Sequence, residues 1–169
     1  MIPIYFKKLD PNAKLPVFGH NDSTNAAVDL YSCIDKNIII WPKSSAVIST
    51  GITWYVDVDY METFLRYSEG EFSDSERLYK VAMIIQSRSG LAFKKGIESS
   101  NAGVIDESYQ GEIKVKLYNN SWFPVVIKNH ERIAQGIIEL LPMIEIKEWV
   151  GELPNTNRGD KGFGSSGTN

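Results

Sequence analysis

Glu112-Ile113-Lys114-Val115-Lys116-Leu117 alternates charged and apolar residues over six positions. Successive side chains of an extended chain point to opposite faces, so Ile113, Val115 and Leu117 share one face and the charges share the other. That pattern is a half-buried strand. Similar short, β-rich runs lie on both sides of it: Ile2 to Phe6, Ile38 to Trp41, Ala46 to Ser49, Ile52 to Val56, Val81 to Ile85, Val125 to Ile127, Ile133 to Leu141 and Ile144 to Val150. Turn-forming clusters such as Trp41-Pro42-Lys43-Ser44 and Asn119-Asn120-Ser121 separate them. Many short strands closely spaced by turns predict an all-β sandwich or jelly roll with at most short helical turns.

With 169 residues the chain is long enough for one hydrophobic core and too short to expect two. A net charge of −3 offers no general attraction for a nucleic-acid backbone or an anionic membrane, so neither is an expected partner. A polyphosphate would have to be met by a few placed Arg, Lys and backbone N–H groups, which favours a small ligand. Cys33 is the only cysteine, excluding an intrachain disulfide and fitting a reducing compartment. No apolar run approaches the roughly 18 residues of a membrane span, and the N-terminal residues do not read as a signal peptide; a cytoplasmic location is expected. His20 and His130 lack ligand spacing and read as exposed or structural.

Two stretches depart from the strand pattern. Residues 57–80 are acidic, polar and rich in aromatics, and read as an insertion in a β domain spanning 1–150. Within it Ser73-Asp74-Ser75-Glu76 has capping-box spacing, so either a short helix or a mobile loop follows. From 151 to 169, Pro, Asn, Gly and Ser displace the apolar residues needed to offset ordering entropy, which predicts a flexible C-terminal arm.

Several segments carry groups suited to chemistry. RGDKGFGSSG, residues 158–167, sets Arg158, Phe163, Ser165 and Ser166 among glycines that let backbone approach a ligand; a functionless flexible tail has the same composition. It is not a P-loop, because GxxxxGK[ST] is absent. Gly103-Val104-Ile105-Asp106-Glu107-Ser108-Tyr109-Gln110-Gly111 reads as a hairpin whose Asp106 could serve as general base and whose Tyr109 could lie against a sugar; acidic residues are also ordinary in turns. Gln86-Ser87-Arg88-Ser89-Gly90-Leu91-Ala92 follows an apolar run and leads into one helical turn ending near Gly96. There Arg88 offers a bidentate fork, Ser89 a hydroxyl and Gly90 an unobstructed N–H. Asp29 and Gln135 are polar groups inside strand-like sequence.

Taken in order, AAVDL (26–30), RSGLA (88–92), GVIDESYQG (103–111), RIAQ (132–135) and RGDKGFGSSG (158–167) resemble the five motifs of the trimeric dUTPase family. The resemblance covers nearly the whole chain. It implies a jelly-roll β domain assembled as a homotrimer with shared active sites, and hydrolysis of dUTP to dUMP and pyrophosphate, which limits uracil in DNA and supplies dUMP for thymidylate synthesis. It also implies roles for particular residues. Asp106 would orient and activate the water that attacks the α-phosphorus and would bond the sugar 3′-hydroxyl, while Tyr109 would pack beneath the deoxyribose and exclude a 2′-hydroxyl. Uracil would be read by backbone groups between Gly103 and Lys114, Val104 and Ile105 included, with Ser100 or Asn101 supplying a side-chain contact. Arg88, Ser89 and Gly90 would bind phosphate, Ser89 near the leaving oxygen. Mg²⁺ would be held mainly by triphosphate and water, with Asp29 and Gln135 acting through those waters. In the arm, Phe163 would stack on the base while Arg158, Gly164, Ser165 and Ser166 close over the phosphates.

The sequence departs from the family pattern at Ala27, where glycine is usual, and at Gly136, where a branched apolar residue is common and a neighbour must fill the gap. The stretch containing 57–80 is longer than the family pattern. A related reading, dCTP deaminase, requires a glutamate at the position of Lys116. A reading from another class makes the chain a partner-binding module that uses Tyr60, Phe64, Tyr67, Phe72 and Tyr79 of the insertion.

Overall fold

The computed structural model describes residues 3–19, 22–61, 63, 78–100, 103–157 and 159. The strands are β1 (Ile4–Lys8), β2 (Val17–Phe18), β3 (Ala27–Tyr31), β4 (Ile38–Ile40), β5 (Ser45–Ser49), β6 (Ile52–Val56), β7 (Tyr79–Gln86), β8 (Ile97–Ser99), β9 (Val104–Asp106), β10 (Lys114–Asn119), β11 (Val125–Ile127) and β12 (Arg132–Pro142). One helix, α1 (Ser89–Lys95), lies between β7 and β8. The strands form a five-stranded sheet ordered β2-β3-β12-β7-β9, a three-stranded sheet β5-β10-β8, and the pairs β1-β6 and β4-β11. All of these pairings are antiparallel. The expected all-β architecture is therefore present, with helix confined to short segments.

The alternating stretch behaves as its pattern requires. Along β10 exposed and buried residues alternate, with Val115 and Leu117 in the core and Lys114 and Lys116 in solvent. Fully burying each such side chain contributes about 1.5–3 kcal/mol. The next inward position is Asn119, a buried polar group whose hydrogen bonds are all made. Its Nδ2 donates to the carbonyls of Ile40 and Phe123, both at 2.8 Å, and its Oδ1 accepts from Ser121 N–H at 2.9 Å and Ser121 Oγ–H at 2.7 Å. Asn119 thereby shapes the turn that the Asn119-Asn120-Ser121 cluster predicts.

Leu30, Ile48, Trp54, Met83, Leu117 and Ile133, drawn from different sheets, meet in a single core cluster. Strand β12 joins the long sheet because it pairs with β3 over its first half and with β7 over its second. Gln135 belongs to both ladders, opposite Asp29 on one side and Gln86 on the other. Gly136 next to it leaves the gap expected from the sequence, and Met83 fills it: a Cβ there would stand 2.9 Å from Met83 Sδ.

Helix α1 ends as the sequence implies. Gly96 takes the left-handed conformation (φ 66°), and its N–H caps Ala92. Lys94 and Lys95 in the last turn complement the helix dipole.

Two expectations require correction. Ile144 to Val150 forms no strand: the segment has no ladder partner within the chain, and Ile146 and Val150 remain almost fully exposed. The segment 103–111 turns at 107–108, but its limbs do not pair as a hairpin. β9 joins β7, whereas β10 joins β5 and β8. The chain crosses between sheets there, so non-local ladders outcompete the local one. Most of the 57–80 stretch, including its capping-box residues, and His20 lie outside the described residues. His130 is structural, its Nε2 lying 2.8 Å from the Asn12 carbonyl oxygen. No helix among the described residues is long and apolar enough to cross a membrane.

Candidate functional site

Asp29 sits mid-strand in β3 with its side chain only 8% exposed. A carboxylate so placed needs partners, and two arginines supply them. Arg88 Nε donates to Oδ1 at 2.7 Å, and a terminal nitrogen of Arg132 donates to Oδ2 at 3.2 Å. Arg88 reaches Asp29 because β7 ends at Gln86, in line with Gln135 and Asp29 across the sheet, and the chain then turns into α1. Arg132 reaches it from the first residue of β12, beside a bulge that re-aims the strand.

These groups line a cleft of about 400 Å³ together with Ser89, Gln135, Asn25 and Ala27. One buried negative charge faces two positive ones, which leaves a net positive mouth suited to phosphate oxygens. At Gly90 a Cβ would meet nothing within 4 Å, so the backbone there is open to a ligand.

A second group of residues lies at the other end of the same sheet. Asp106 ends the edge strand β9, its side chain exposed and its position in the ladder opposite Ala82. The Glu107 carboxylate accepts the Val81 N–H at 2.8 Å and ties the strand end to β7. Tyr109 N–H closes the turn onto the Asp106 carbonyl at 3.0 Å. The Tyr109 hydroxyl donates to the Glu112 carbonyl at 3.0 Å, laying the ring across Gly111. Gly103, at the start of this segment, is held against Ile85, whose Cβ and carbonyl oxygen would both lie 2.9 Å from an added Cβ. Only glycine fits that approach. Val104 is exposed, Ile105 half-buried, and Lys114 ion-pairs with Glu112 at 3.4 Å.

From Asp29 to Asp106 the sheet spans three strand spacings and four residues of rise, about 19 Å in all. Within one chain the arginine cleft and the Asp106 carboxylate therefore cannot act on adjacent phosphates. The structure brings Asp29, Arg88, Ser89 and Gln135 together and holds Asp106, Tyr109 and Gly103 apart from them. Ser100 is described, its N–H donating to the Lys116 carbonyl at 2.8 Å. Asn101, Arg158, Phe163, Gly164, Ser165 and Ser166 lie outside the described residues.

Sequence reasoning missed Arg132 as a member of the site, although it opens the quoted RIAQ motif. A cation at the start of a strand laid against a buried aspartate was the available signal. Among the described residues no group of three or more His, Cys, Asp or Glu could hold a metal ion. Both Asp29 oxygens are engaged by arginine, so this donor set does not form a protein cage for magnesium. It fits an ion carried in by a polyphosphate and contacted through water.

Comparison with known proteins gives the same direction. A family model described as dUTPase matches residues 77–167. The deoxyuridine 5′-triphosphate nucleotidohydrolase of Hydrogenobaculum sp. (strain Y04AAS1) is 38% identical over 162 residues, covering 95% of each chain. The protein of that name from Neisseria meningitidis serogroup A is 33% identical over 171 residues, covering 98% of this chain and 97% of the other. Among solved structures, the dUTPase of Staphylococcus bacteriophage 80alpha with dUpNHpp aligns over 98% of both chains with a TM-score of 0.69 at 23% identity, a likeness of fold. The family match and the two close relatives, on a fold that carries the five motifs in order, establish that the chain belongs to the dUTPase family and is a hydrolase.

Proposed function

We propose that the chain hydrolyses dUTP to dUMP and pyrophosphate by in-line attack of water on the α-phosphorus, in an active site assembled from more than one copy of the chain. The observation that carries this reading is the separation of the positive cleft around Arg88 from the Asp106 carboxylate by about 19 Å along one sheet. A second subunit must bring its Asp106 to the first subunit's cleft. Cyclic symmetry with three copies satisfies every half-site identically. The unpaired, exposed segment 144–150, with Ile144, Ile146, Trp149 and Val150 outward, supports a surface that a neighbour covers.

In such a site Asp106 accepts a proton from the attacking water as general base and bonds the sugar 3′-hydroxyl. Tyr109 lies under the sugar and leaves no space for a 2′-hydroxyl. Backbone groups from Gly103 to Ile105 read uracil, assisted by Ser100 or Asn101. Arg88 and the Gly90 N–H hold phosphate oxygens, and Ser89 stabilises charge on the leaving oxygen. Arg132 keeps Asp29 neutralised and adds to the positive field.

A magnesium ion bound with the substrate would spread the triphosphate charge, with Asp29 and Gln135 reaching it through water. A dUTPase of phage phi11 of Staphylococcus aureus coordinates a structural Mg(II) ion, which supports this metal for the fold. The arm, with Arg158, Phe163, Gly164, Ser165 and Ser166, closes over the nucleotide and excludes bulk water. Residues 1–150 form the β domain, 151–169 the arm, and 57–80 an insertion available to a protein partner.

Pyrophosphate release from dUTP, dTTP, dCTP and UTP, measured in parallel on the wild type and Asp106→Asn, tests the reading. Only dUTP should turn over quickly, and the variant should lose about 10²–10⁴-fold, the usual contribution of a general base. Rapid hydrolysis of UTP, or an active variant, would overturn it.

A further inference from the structure

Strand β9 is three residues long and stands at the edge of its sheet, paired on one side only. Asp106 is its last residue, so little in the ladder itself holds that carboxylate to one position. What does hold it converges on a single atom, the Asp106 carbonyl oxygen. One lone pair accepts Tyr109 N–H at 3.0 Å and closes the turn. The other accepts the indole N–H of Trp54 at 3.2 Å. A carbonyl has two acceptor sites, and both are filled.

Trp54 is the unusual member of this arrangement. It lies in the middle of β6, in the separate β1-β6 sheet, and is 1% exposed. A buried indole has one polar atom and must place it on an acceptor. Here that acceptor belongs to the residue whose side chain faces solvent as the proposed general base. The rigid, fully packed ring therefore transmits the position of the core to the turn that presents both Asp106 and Tyr109.

We propose that Trp54 is a positioning residue for the reaction: its N–H sets the height and orientation of Asp106, and through the shared carbonyl that of Tyr109. This rests on Asp106 being the general base, as argued above. A displacement on the order of 1 Å at a reacting group lowers a rate by up to about 10²-fold, so loss of the N–H is expected to reduce kcat by about tenfold or more. Binding of the substrate's phosphates, which rests on the distant Arg88 cleft, should change little.

The test uses full-length protein in its native assembly. Trp54→Phe removes the donor. Site-specific replacement of Trp54 by 3-benzothienylalanine removes it while keeping ring shape, which guards against misfolding from a void. For each, kcat and KM for dUTP, the Kd of dUpNHpp and the melting temperature are measured, alone and combined with Asp106→Asn.

The expected result is a kcat at least about tenfold lower, with Kd within about twofold of wild type, and no further fall in kcat when Asp106 is already Asn. Unchanged kcat in the benzothienyl variant, with Asp106→Asn inactive, overturns the role of Trp54 and leaves the general base intact. An equal fold-loss in both backgrounds also overturns it, because that is the signature of a general structural defect. Full activity of Asp106→Asn alone would instead remove the reading on which the inference rests.

Discussion

The Tyr109 ring should discriminate deoxyribose from ribose only as well as Gly111 allows it to lie flat. A Cβ added at Gly111 would stand 2.5 Å from the Tyr109 hydroxyl oxygen, 2.6 Å from Cζ and 3.0 Å from Cε2. Ordinary contact for such atoms is about 3.5 Å, so in Gly111→Ala the ring must retreat by about 1 Å. That movement breaks the 3.0 Å bond from the hydroxyl to the Glu112 carbonyl, worth about 1 kcal/mol. The ring loses its anchor and opens space where a 2′-hydroxyl would go. The ratio of kcat/KM for dUTP to that for UTP should then fall by about tenfold, about 1.4 kcal/mol of discrimination. Steady-state pyrophosphate release with both nucleotides, on protein of unchanged melting temperature, measures it. An unchanged ratio would refute the argument that Gly111 and Tyr109 set sugar selectivity together.

Two further outcomes concern stability. Met83→Ala should destabilise by about 2–5 kcal/mol and Gly136→Val by about 1–3, while the double variant should lose less than the sum because the added methyls occupy the vacated space. Urea unfolding of the three proteins decides this. Burial works to raise the Glu131 pKa, but hydrogen bonds from Lys95 at 2.8 Å and the Lys128 amide at 3.0 Å outweigh it and hold the carboxyl below its ordinary value. Its contribution is therefore complete above the unfolded pKa of about 4.3 and disappears as pH falls through the lower folded value. Melting curves should show the advantage of the wild type over Glu131→Gln at pH 6 shrinking below about pH 4.

The β class was legible because burial in strands follows a period of two, and the alternation from Glu112 to Leu117 survives unchanged as the inward and outward faces of β10. Helix α1 was legible from Gly96, whose left-handed conformation is a local property. The gap at Gly136 and its filling by a neighbour were also foreseeable, though not that Met83 would do it. The pairing of β9 with β7, not β10, was not legible, because ladders are chosen by sheets assembled from distant residues. For the same reason the sequence motifs named Asp29 and Arg88 but not the ion pair between them. The indole bond from Trp54 to the Asp106 carbonyl joins residues whose proximity no spacing encodes. The segment 144–150 looks like a strand in sequence and lacks a partner in one chain, and a missing subunit in a shared assembly would produce that mismatch.

Subunit complementation tests the split site most directly. Asp106→Asn and Arg88→Ala should each be nearly inactive alone, since each damages one half of every site. After the two variants are mixed, dissociated and reassembled, a cyclic trimer containing both has one site that joins an intact Asp106 to an intact Arg88. Random equimolar mixing should then restore about a quarter of wild-type dUTP turnover. Recovery no greater than the sum of the parents, in mixed assemblies verified by mass, would contradict the account and return both groups to a single chain.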